Sequence, residues 1–200
     1  LVKTYFTRLR FNSNNRFYEF LINVCEMIHD NLLPSQRKGN YKFRKFSEDK
    51  LDALFESFVR NFYDIEQKNL KVKSEKFDWD FDTLTEGSGA FLPEMRTDIS
   101  LENQDRKIII DTKFYKEALK TNQWGKKIIN QNHLYQLTAY MNNTTLSENQ
   151  SLEGILLYPT TDDNFDHQFK SSDGRKVSAK SIDLNQSFDK IKSDLMVIIN

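Results

Sequence analysis

The chain has 200 residues, of which 38% are hydrophobic, and its 29 acidic and 29 basic side chains leave no formal net charge. A chain of this length can bury a core without added cross-links, and its one cysteine, Cys25, excludes an intrachain disulfide and a cysteine zinc cluster. No apolar run of about 18 residues and no signal peptide is visible, so a membrane span is excluded and we expect a cytoplasmic protein.

The first part of the chain is predicted to be helical. Apolar residues recur at helical spacing over residues 16–33, and Pro34 ends this helix. Because the chain opens with Leu1 inside sequence that already resembles a regular element, we expect an N-terminal part to be missing. We assign residues 1–45 to an N-terminal helical segment that packs on, or leads into, a main domain over residues 46–200.

The main domain begins with a predicted helix and continues with strands. Ser47 is a suitable N-cap, and an apolar stripe over residues 51–62 follows at helical spacing. Over residues 77–81 aromatic residues alternate with aspartates, as in a half-buried strand. Further patterns predict strands over 95–101, 107–115, 154–158 and 180–184, a loop or hairpin over 160–176, and helices over 128–141 and 187–199. This order predicts an α/β sandwich around a mixed β-sheet.

A predicted hairpin is the most informative part of the sequence. The polar stretch 102–106 separates two strand-like segments, which should therefore pair in antiparallel fashion. A turn centred between Gln104 and Asp105 places Asp98 opposite Asp111, with the two Cβ atoms about 4.5–5.5 Å apart. A register shifted by one residue would instead put the two acids on opposite faces of the sheet.

An acid pair at this position requires an explanation. Two opposed carboxylates repel, and Asp111 follows an isoleucine run that is typical of a strand buried on both faces. A divalent cation resolves the conflict, since Mg²⁺ binds one or two carboxylates together with water and phosphate. Lys113 points to the same face as Asp111 and could orient an attacking water or offset charge on a phosphate. The alternative is an ordinary solvated strand face.

These residues resemble a nuclease signature. Asp98, followed by Asp111, Thr112 and Lys113, is similar to the motif of the PD-(D/E)XK nuclease superfamily, with Thr97 where the superfamily name has proline. The hairpin strands are specifically similar to the McrC family, the nuclease subunits of 5-methylcytosine-specific McrBC restriction systems.

Two further segments resemble parts of the same superfamily. Residues 54–59 resemble the family's first nuclease helix, and residues 133–140 resemble the Gln-x-x-x-Tyr helix of RecB-like nucleases. The resemblance covers roughly residues 45–160. It implies a PD-(D/E)XK restriction-endonuclease-like fold, in which helices flank a central mixed β-sheet.

The resemblance also implies roles for individual residues. Asp98, Asp111 and the backbone carbonyl of Thr112 would ligate a catalytic Mg²⁺, which Mn²⁺ can replace, and Lys113 would position or help deprotonate the water. The remaining candidates are Glu56 at the edge of the metal site, and Gln136 and Tyr140, which would support the site or contact DNA. The alternatives are a solvated helix residue for Glu56 and plain helix surface for the other two.

A group of lysines follows the catalytic strand and could contact phosphates, although an ordinary solvated surface is the alternative. They are Lys116, Lys120, Lys126 and Lys127. Because the net charge is zero, a DNA-binding surface must be local.

The resemblance implies a Mg²⁺-dependent endonuclease that cuts double-stranded DNA in a modification-dependent restriction system of antiphage defence. Its partner would be a McrB-like, GTP-dependent AAA+ motor that recognises modified cytosine and translocates DNA. This chain has no Walker-type glycine-rich loop and should not hydrolyse nucleotide itself. Two alternatives remain open. One is a catalytically inactive nuclease-fold module that binds DNA or a partner ring, and the other is a RecB-like repair nuclease.

Overall fold

The computed structural model describes residues 48–115, 118–160 and 164–200. The predicted N-terminal segment, the Ser47 cap and Lys116 lie outside these residues. The helices are α1 (Glu48–Glu66), α2 (Gln131–Asn142) and α3 (Phe188–Ile198), with a short 3-10 helix at Ser88–Phe91. The strands are β1 (Lys71–Lys73), β2 (Lys76–Phe77), β3 (Met95–Arg96), β4 (Ile99–Glu102), β5 (Arg106–Thr112), β6 (Leu119–Thr121), β7 (Lys127–Ile129), β8 (Ser151–Pro159), β9 (Asp166–Lys170) and β10 (Lys176–Ile182).

A six-stranded sheet in the order β1-β4-β5-β8-β10-β9 forms the centre of the described chain. The inner strands β5, β8 and β10 run parallel to one another, whereas β4, β1 and β9 are each antiparallel to a neighbour. Helix α2 lies in the connection from β5 to β8, as parallel strands require a long crossover. The predicted α/β architecture around a mixed sheet is confirmed.

Two apolar cores lie on opposite faces of the sheet because β5 is hydrophobic on both sides. Ile108 and Ile110 pack with α1 and α3, whereas Ile109 packs with α2. All three isoleucine side chains are fully buried. The hydroxyl of Tyr63 on α1 donates a 2.8 Å hydrogen bond to the backbone oxygen of Leu195, which joins α1 to α3 within the first core.

The register of the β4–β5 hairpin agrees with the sequence. Ile99 pairs with Ile110 and Leu101 with Ile108. At the turn, the side-chain oxygen of Asn103 accepts hydrogen bonds of 3.0 and 2.9 Å from the two backbone N–H groups of Asp105 and Arg106. This local turn fixes which residues of the two strands face one another.

The predicted strand over 95–101 is broken in two, and this expectation was wrong. Met95 and Arg96 pair with β2 in a separate two-stranded ladder. At Thr97 the chain crosses to the main sheet. The Thr97 N–H donates a 2.9 Å hydrogen bond to the backbone oxygen of Glu75, and the Thr97 hydroxyl accepts a 3.0 Å bond from the Glu75 N–H. The N–H of Thr97 is therefore in use, and proline, which has no N–H, would lose that bond.

Two other expectations need correction. Residues 78–81 are not in a strand; Trp79 and Phe81 stack on each other, with 5.5 Å between ring centroids. The helix predicted over 128–141 begins only at Gln131, because residues 119–129 form the β6–β7 hairpin.

The loop or hairpin predicted over 160–176 contains β9, which pairs with β10. No described helix is long and apolar enough to cross a membrane.

A buried ion cluster lies at the other end of β5 from the predicted acid pair. The Lys107 side chain is 4% exposed, and its Nζ lies 2.8 Å from Glu75 Oε2 and 3.5 Å from Glu102 Oε2. The same ammonium lies 5.7 Å from the centroid of the Phe77 ring. Burial of this cation is thus matched by two carboxylates and an aromatic face.

Gly154 on β8 is a position where any side chain should be costly. A Cβ there would collide with Met141 Sδ and would lie 3.1 Å from side-chain carbons of Leu137, both on α2. We expect Gly154→Ala to lower the free energy of unfolding by about 1–3 kcal/mol, measured by denaturant titration. Met141→Ala should recover part of that loss in the double variant, and strictly additive single effects would contradict the close approach.

Candidate active site

Asp111, at the end of β5, is a fully buried carboxylate with incomplete pairing. Its Oδ2 lies 2.8 Å from Lys113 Nζ, while its Oδ1 has no hydrogen-bond partner. Burial raises the pKa of Asp111 to about 7, and the charge of Asp98 adds to this effect against the opposing influence of Lys113. The ionised carboxylate is therefore poorly stabilised by the protein alone.

Asp98, immediately before β4, is held against the residue that follows Asp111. Its Oδ2 accepts a 2.8 Å hydrogen bond from the Thr112 N–H and a 2.9 Å bond from the Thr112 hydroxyl. The hairpin therefore brings the two predicted acids to the same end of the paired strands. These two bonds orient the Asp98 side chain, and they use only one of its two carboxylate oxygens.

Lys113 is buried within a set of acidic groups. Burial alone would lower its pKa, but the charges of Asp111, Asp98 and Asp52 outweigh that effect, so the pKa lies above its ordinary value. Asp52 on α1 also accepts a 2.8 Å hydrogen bond from the Phe114 N–H, which anchors the chain just after Lys113. The ammonium is therefore charged at neutral pH.

Glu56 on α1 lies at the edge of the same cluster. Burial and the charge of Asp98 raise its pKa, whereas an ion pair with Arg60, one helical turn further on, opposes the shift. Arg60 also donates a 3.3 Å hydrogen bond to the backbone oxygen of Asp98. Sequence reasoning missed Arg60, although its spacing of four residues from Glu56 on a helix was a usable signal.

Helix α2 contributes Gln136 and Tyr140 from the other side. The Gln136 amide donates a 2.7 Å hydrogen bond to the Tyr140 hydroxyl, so both side chains share a helix face, as their spacing predicts. Burial raises the pKa of Tyr140, and the charges of Asp111 and Asp98 raise it further. The structure thus places this hydroxyl within electrostatic range of both acids, while Gln136 is exposed.

A second polar group beside the acids was not found from the sequence. His133 Nδ1 lies 3.0 Å from the Tyr158 hydroxyl, and its Nε2 lies 3.1 Å from the Asn130 amide. The Tyr115 ring centroid lies 4.9 Å from that of the imidazole. Burial lowers the pKa of His133 to about 4, with further lowering by Lys113 and Lys120, so the imidazole is neutral. No motif in the sequence indicated a functional role for Tyr158, because its neighbours are typical of a buried strand.

The residues present fit a hard divalent cation. No group of three His, Cys, Asp or Glu side chains arranged to hold a metal occurs in the described part of the chain. Mg²⁺ needs no such group, because it commonly binds one or two carboxylates and keeps several waters. The unpartnered Oδ1 of Asp111, with oriented Asp98 nearby, supplies oxygen donors of this kind.

The predicted phosphate-contacting lysines that the structure describes lie on the β6–β7 hairpin. Lys120 belongs to β6, Lys127 to β7, and Lys126 to the connection between them, and all three are exposed. The hairpin follows β5 directly in the chain and leads into α2.

Comparisons with known proteins agree with one another. The chain is 29% identical over 202 aligned residues to the type IV methyl-directed restriction enzyme EcoKMcrBC of Escherichia coli (strain K12). That alignment covers 100% of this chain and 58% of the relative, so the chain spans little more than half of the protein it matches.

A solved structure has a similar fold. It is a chain from the refined half-complex of the tetradecameric assembly of Thermococcus gammatolerans McrB AAA+ hexamers with bound McrC. The TM-score is 0.51 at 14% identity, covering 98% of this chain and 41% of that one. Residues 2–159 match the profile of the family described as "McrBC 5-methylcytosine restriction system component". The chain therefore belongs to the McrBC 5-methylcytosine restriction system component family.

Proposed function

We propose that this chain is the Mg²⁺-dependent, DNA-cutting part of a modification-dependent restriction system, built on a PD-(D/E)XK fold. The observation that carries this proposal is the buried Asp111 carboxylate, which has an unpartnered oxygen and lies beside Lys113 and the oriented Asp98. A stable core has no use for such an arrangement, whereas a cation supplies the missing partner.

Asp98, Asp111 and the Thr112 backbone carbonyl would hold the ion, with Glu56 at its edge. Bound Mg²⁺ would supply activation of water and stabilisation of charge on the phosphate. Thr112 keeps Asp98 in one orientation, so little reorganisation is needed when substrate arrives. Tyr140, whose hydroxyl accepts a hydrogen bond from Gln136, would help to position the substrate.

Lys113 would position the attacking water or help to deprotonate it. Burial alone would lower its pKa, but the charges of Asp111, Asp98 and Asp52 raise it in the metal-free protein. There it is a charged donor that can orient a water molecule and offset negative charge on the phosphate.

We further propose that the chain works with a McrB-like, GTP-dependent AAA+ ring in the cytoplasm. The solved relative is part of an assembly of McrB AAA+ hexamers with bound McrC, and the Escherichia coli relative is a methyl-directed restriction enzyme. Recognition of modified cytosine would then lie on the partner. The lysines of the β6–β7 hairpin would contact DNA phosphates.

Metal binding provides the direct test. Mn²⁺ should raise the melting temperature of the wild-type protein, since it binds the folded state, and Asp98→Asn should remove most of that shift. Asp105→Asn, in the exposed turn of the same hairpin, is the matched control and should respond as the wild type does. Equal metal-induced shifts in Asp98→Asn and the wild type would reject the proposed ligand.

One observation favours a second candidate function, a nuclease fold kept only to bind DNA or a partner ring. Lys113 already pairs with Asp111, so the site has a charged partner without any metal. This alternative predicts no metal-induced shift in the wild type and no cleavage in the presence of the partner, GTP and methylated DNA.

A further inference from the structure

The β6–β7 hairpin displays a large aromatic side chain at its tip. Trp124 is 79% exposed, and the hairpin carries it beyond the two short paired strands. A single exposed apolar residue is ordinary on a protein surface. Three features distinguish Trp124 from such residues. They are the turn that holds it, the lysines around it and its position relative to the candidate active site.

The turn that carries Trp124 is closed by several hydrogen bonds. The side-chain oxygen of Asn122 accepts from the Trp124 N–H at 3.0 Å and from the Lys126 N–H at 2.9 Å. The Asn122 backbone adds two bonds of 2.9 Å, with Lys126 and Gly125, and Gly125 has a φ of +76° that favours glycine. The indole is therefore held on a defined turn, which reduces the entropy lost when it contacts a ligand.

The charges around Trp124 favour a polyanion. Residues 119–129 include three lysines and no acidic residue. By contrast, residues 78–94 include five acidic residues and no basic one, and they display Phe91 with 89% exposure. The two segments therefore carry charge of opposite sign. An aromatic ring among lysines suits nucleic acid, because bases stack on the ring while lysines contact the backbone.

The hairpin also lies beside the candidate active site. Ile129 packs against the core beneath α2, and the charges of Lys120 and Lys113 both act on His133. Lys120 lies in β6 and Trp124 in the turn that follows it, so the two side chains belong to the same hairpin.

We propose that Trp124 stacks on an unstacked DNA base close to the phosphate to be cut. The ligand class is thus a nucleobase that has left the continuous stack of the duplex, and the neighbouring lysines hold its backbone. This inference rests on the proposed function, since it requires that DNA enters the site.

The test uses the full protein, reconstituted with its partner, and DNA in which single adenines are replaced by the fluorescent base 2-aminopurine. With the probe moved one nucleotide at a time away from the cut, wild-type protein should change the fluorescence at one position, because unstacking of the base and its stacking on indole alter the emission. Trp124→Ala should abolish that change and weaken DNA binding roughly tenfold or more, and Trp124→Phe should retain part of both.

Three controls separate stacking from other roles. Lys120→Ala should reduce the slope of log affinity against log salt, whereas Trp124→Ala should leave the slope unchanged. Phe91→Ala removes a similarly exposed aromatic side chain from the acidic segment, and this variant should bind DNA as the wild type does. Unchanged DNA binding by Trp124→Ala, a silent probe, or loss of binding to the partner ring with DNA affinity retained would each overturn the inference. The proposed function would survive these results, and it fails separately if wild-type protein neither binds metal nor cuts DNA.

Discussion

Replacing Asp111 with asparagine should abolish DNA cleavage and at the same time raise the melting temperature of the metal-free protein. The carboxylate is fully buried, one of its oxygens has no partner, and asparagine removes the charge while keeping the shape. Cleavage should fall by roughly a thousandfold or more. Deleting one preorganised electrostatic group typically slows an enzyme by about a hundred- to a thousandfold, and Asp111 would in addition hold the metal. The measurement is plasmid cleavage with the partner, GTP and Mg²⁺.

The stability gain should depend on pH in a defined direction. The folded pKa of Asp111, about 7, lies above its ordinary value of 3.8, so the folded state favours the protonated carboxyl. The wild type therefore loses stability as pH rises from about 4 through about 7, and asparagine does not. The melting temperature of Asp111→Asn should exceed that of the wild type clearly at pH 8 and little at pH 4.

Mg²⁺ should reverse this ranking, because it binds the wild-type carboxylate and not the amide. A structural role for the Asp111–Lys113 pair predicts the opposite result, in which the variant is less stable at pH 8 without metal. Asp105→Asn, exposed in the hairpin turn, should match the wild type in cleavage and in melting temperature at both pH values.

The second large effect should come from the buried Lys107 cluster. Glu75→Ala removes the carboxylate 2.8 Å from an ammonium that is only 4% exposed, and leaves Glu102 at 3.5 Å. We expect the free energy of unfolding to fall by about 3–5 kcal/mol, because a buried charge loses its main partner. Urea titration monitored by circular dichroism measures this change.

Two further variants test that explanation. Lys107→Met in the Glu75→Ala background should recover a large part of the loss, since the cluster around position 107 then holds no buried cation. Glu94→Ala removes an exposed ion pair with Lys76 of similar length, 2.6 Å, and should leave the free energy of unfolding nearly unchanged because solvent screens the pair. A small effect of Glu75→Ala, equal to that of Glu94→Ala, would show that Lys107 is solvated in solution.

Local patterns in the sequence predicted those parts of the fold that local interactions determine. The β4–β5 register follows from apolar alternation and the Asn103 turn, both readable within one short stretch. The break at Thr97 was not predictable, because it depends on hydrogen bonds to Glu75, which is distant in sequence. Trp79 was assigned to a strand for a related reason, since its contacts are with Phe81 and with the backbone oxygen of Pro93.

The candidate site shows the same division. Asp98, Asp111 and Lys113 lie in one hairpin and were found by their spacing, and their roles remain predictions. Arg60 and Asp52 come from a different element, and only the packing of α1 on the sheet brings them to the hairpin. The β6–β7 hairpin was missed because its strands are three residues long and its tight turn depends on Gly125.

The hydrogen bond from Tyr63 to Leu195 ties α3 to α1, the helix that flanks the candidate active site. Helix α1 carries Asp52 and Glu56, and it is packed from behind by α3, whose Ile191, Leu195 and Ile198 are buried against it and the sheet. Proteolytic clipping after β10 would remove that support, and we expect α1 to pack less firmly against the sheet as a result. Loss of the C-terminal helix would then disturb Asp52 and Glu56 without any change in the hairpin that carries Asp98 and Asp111.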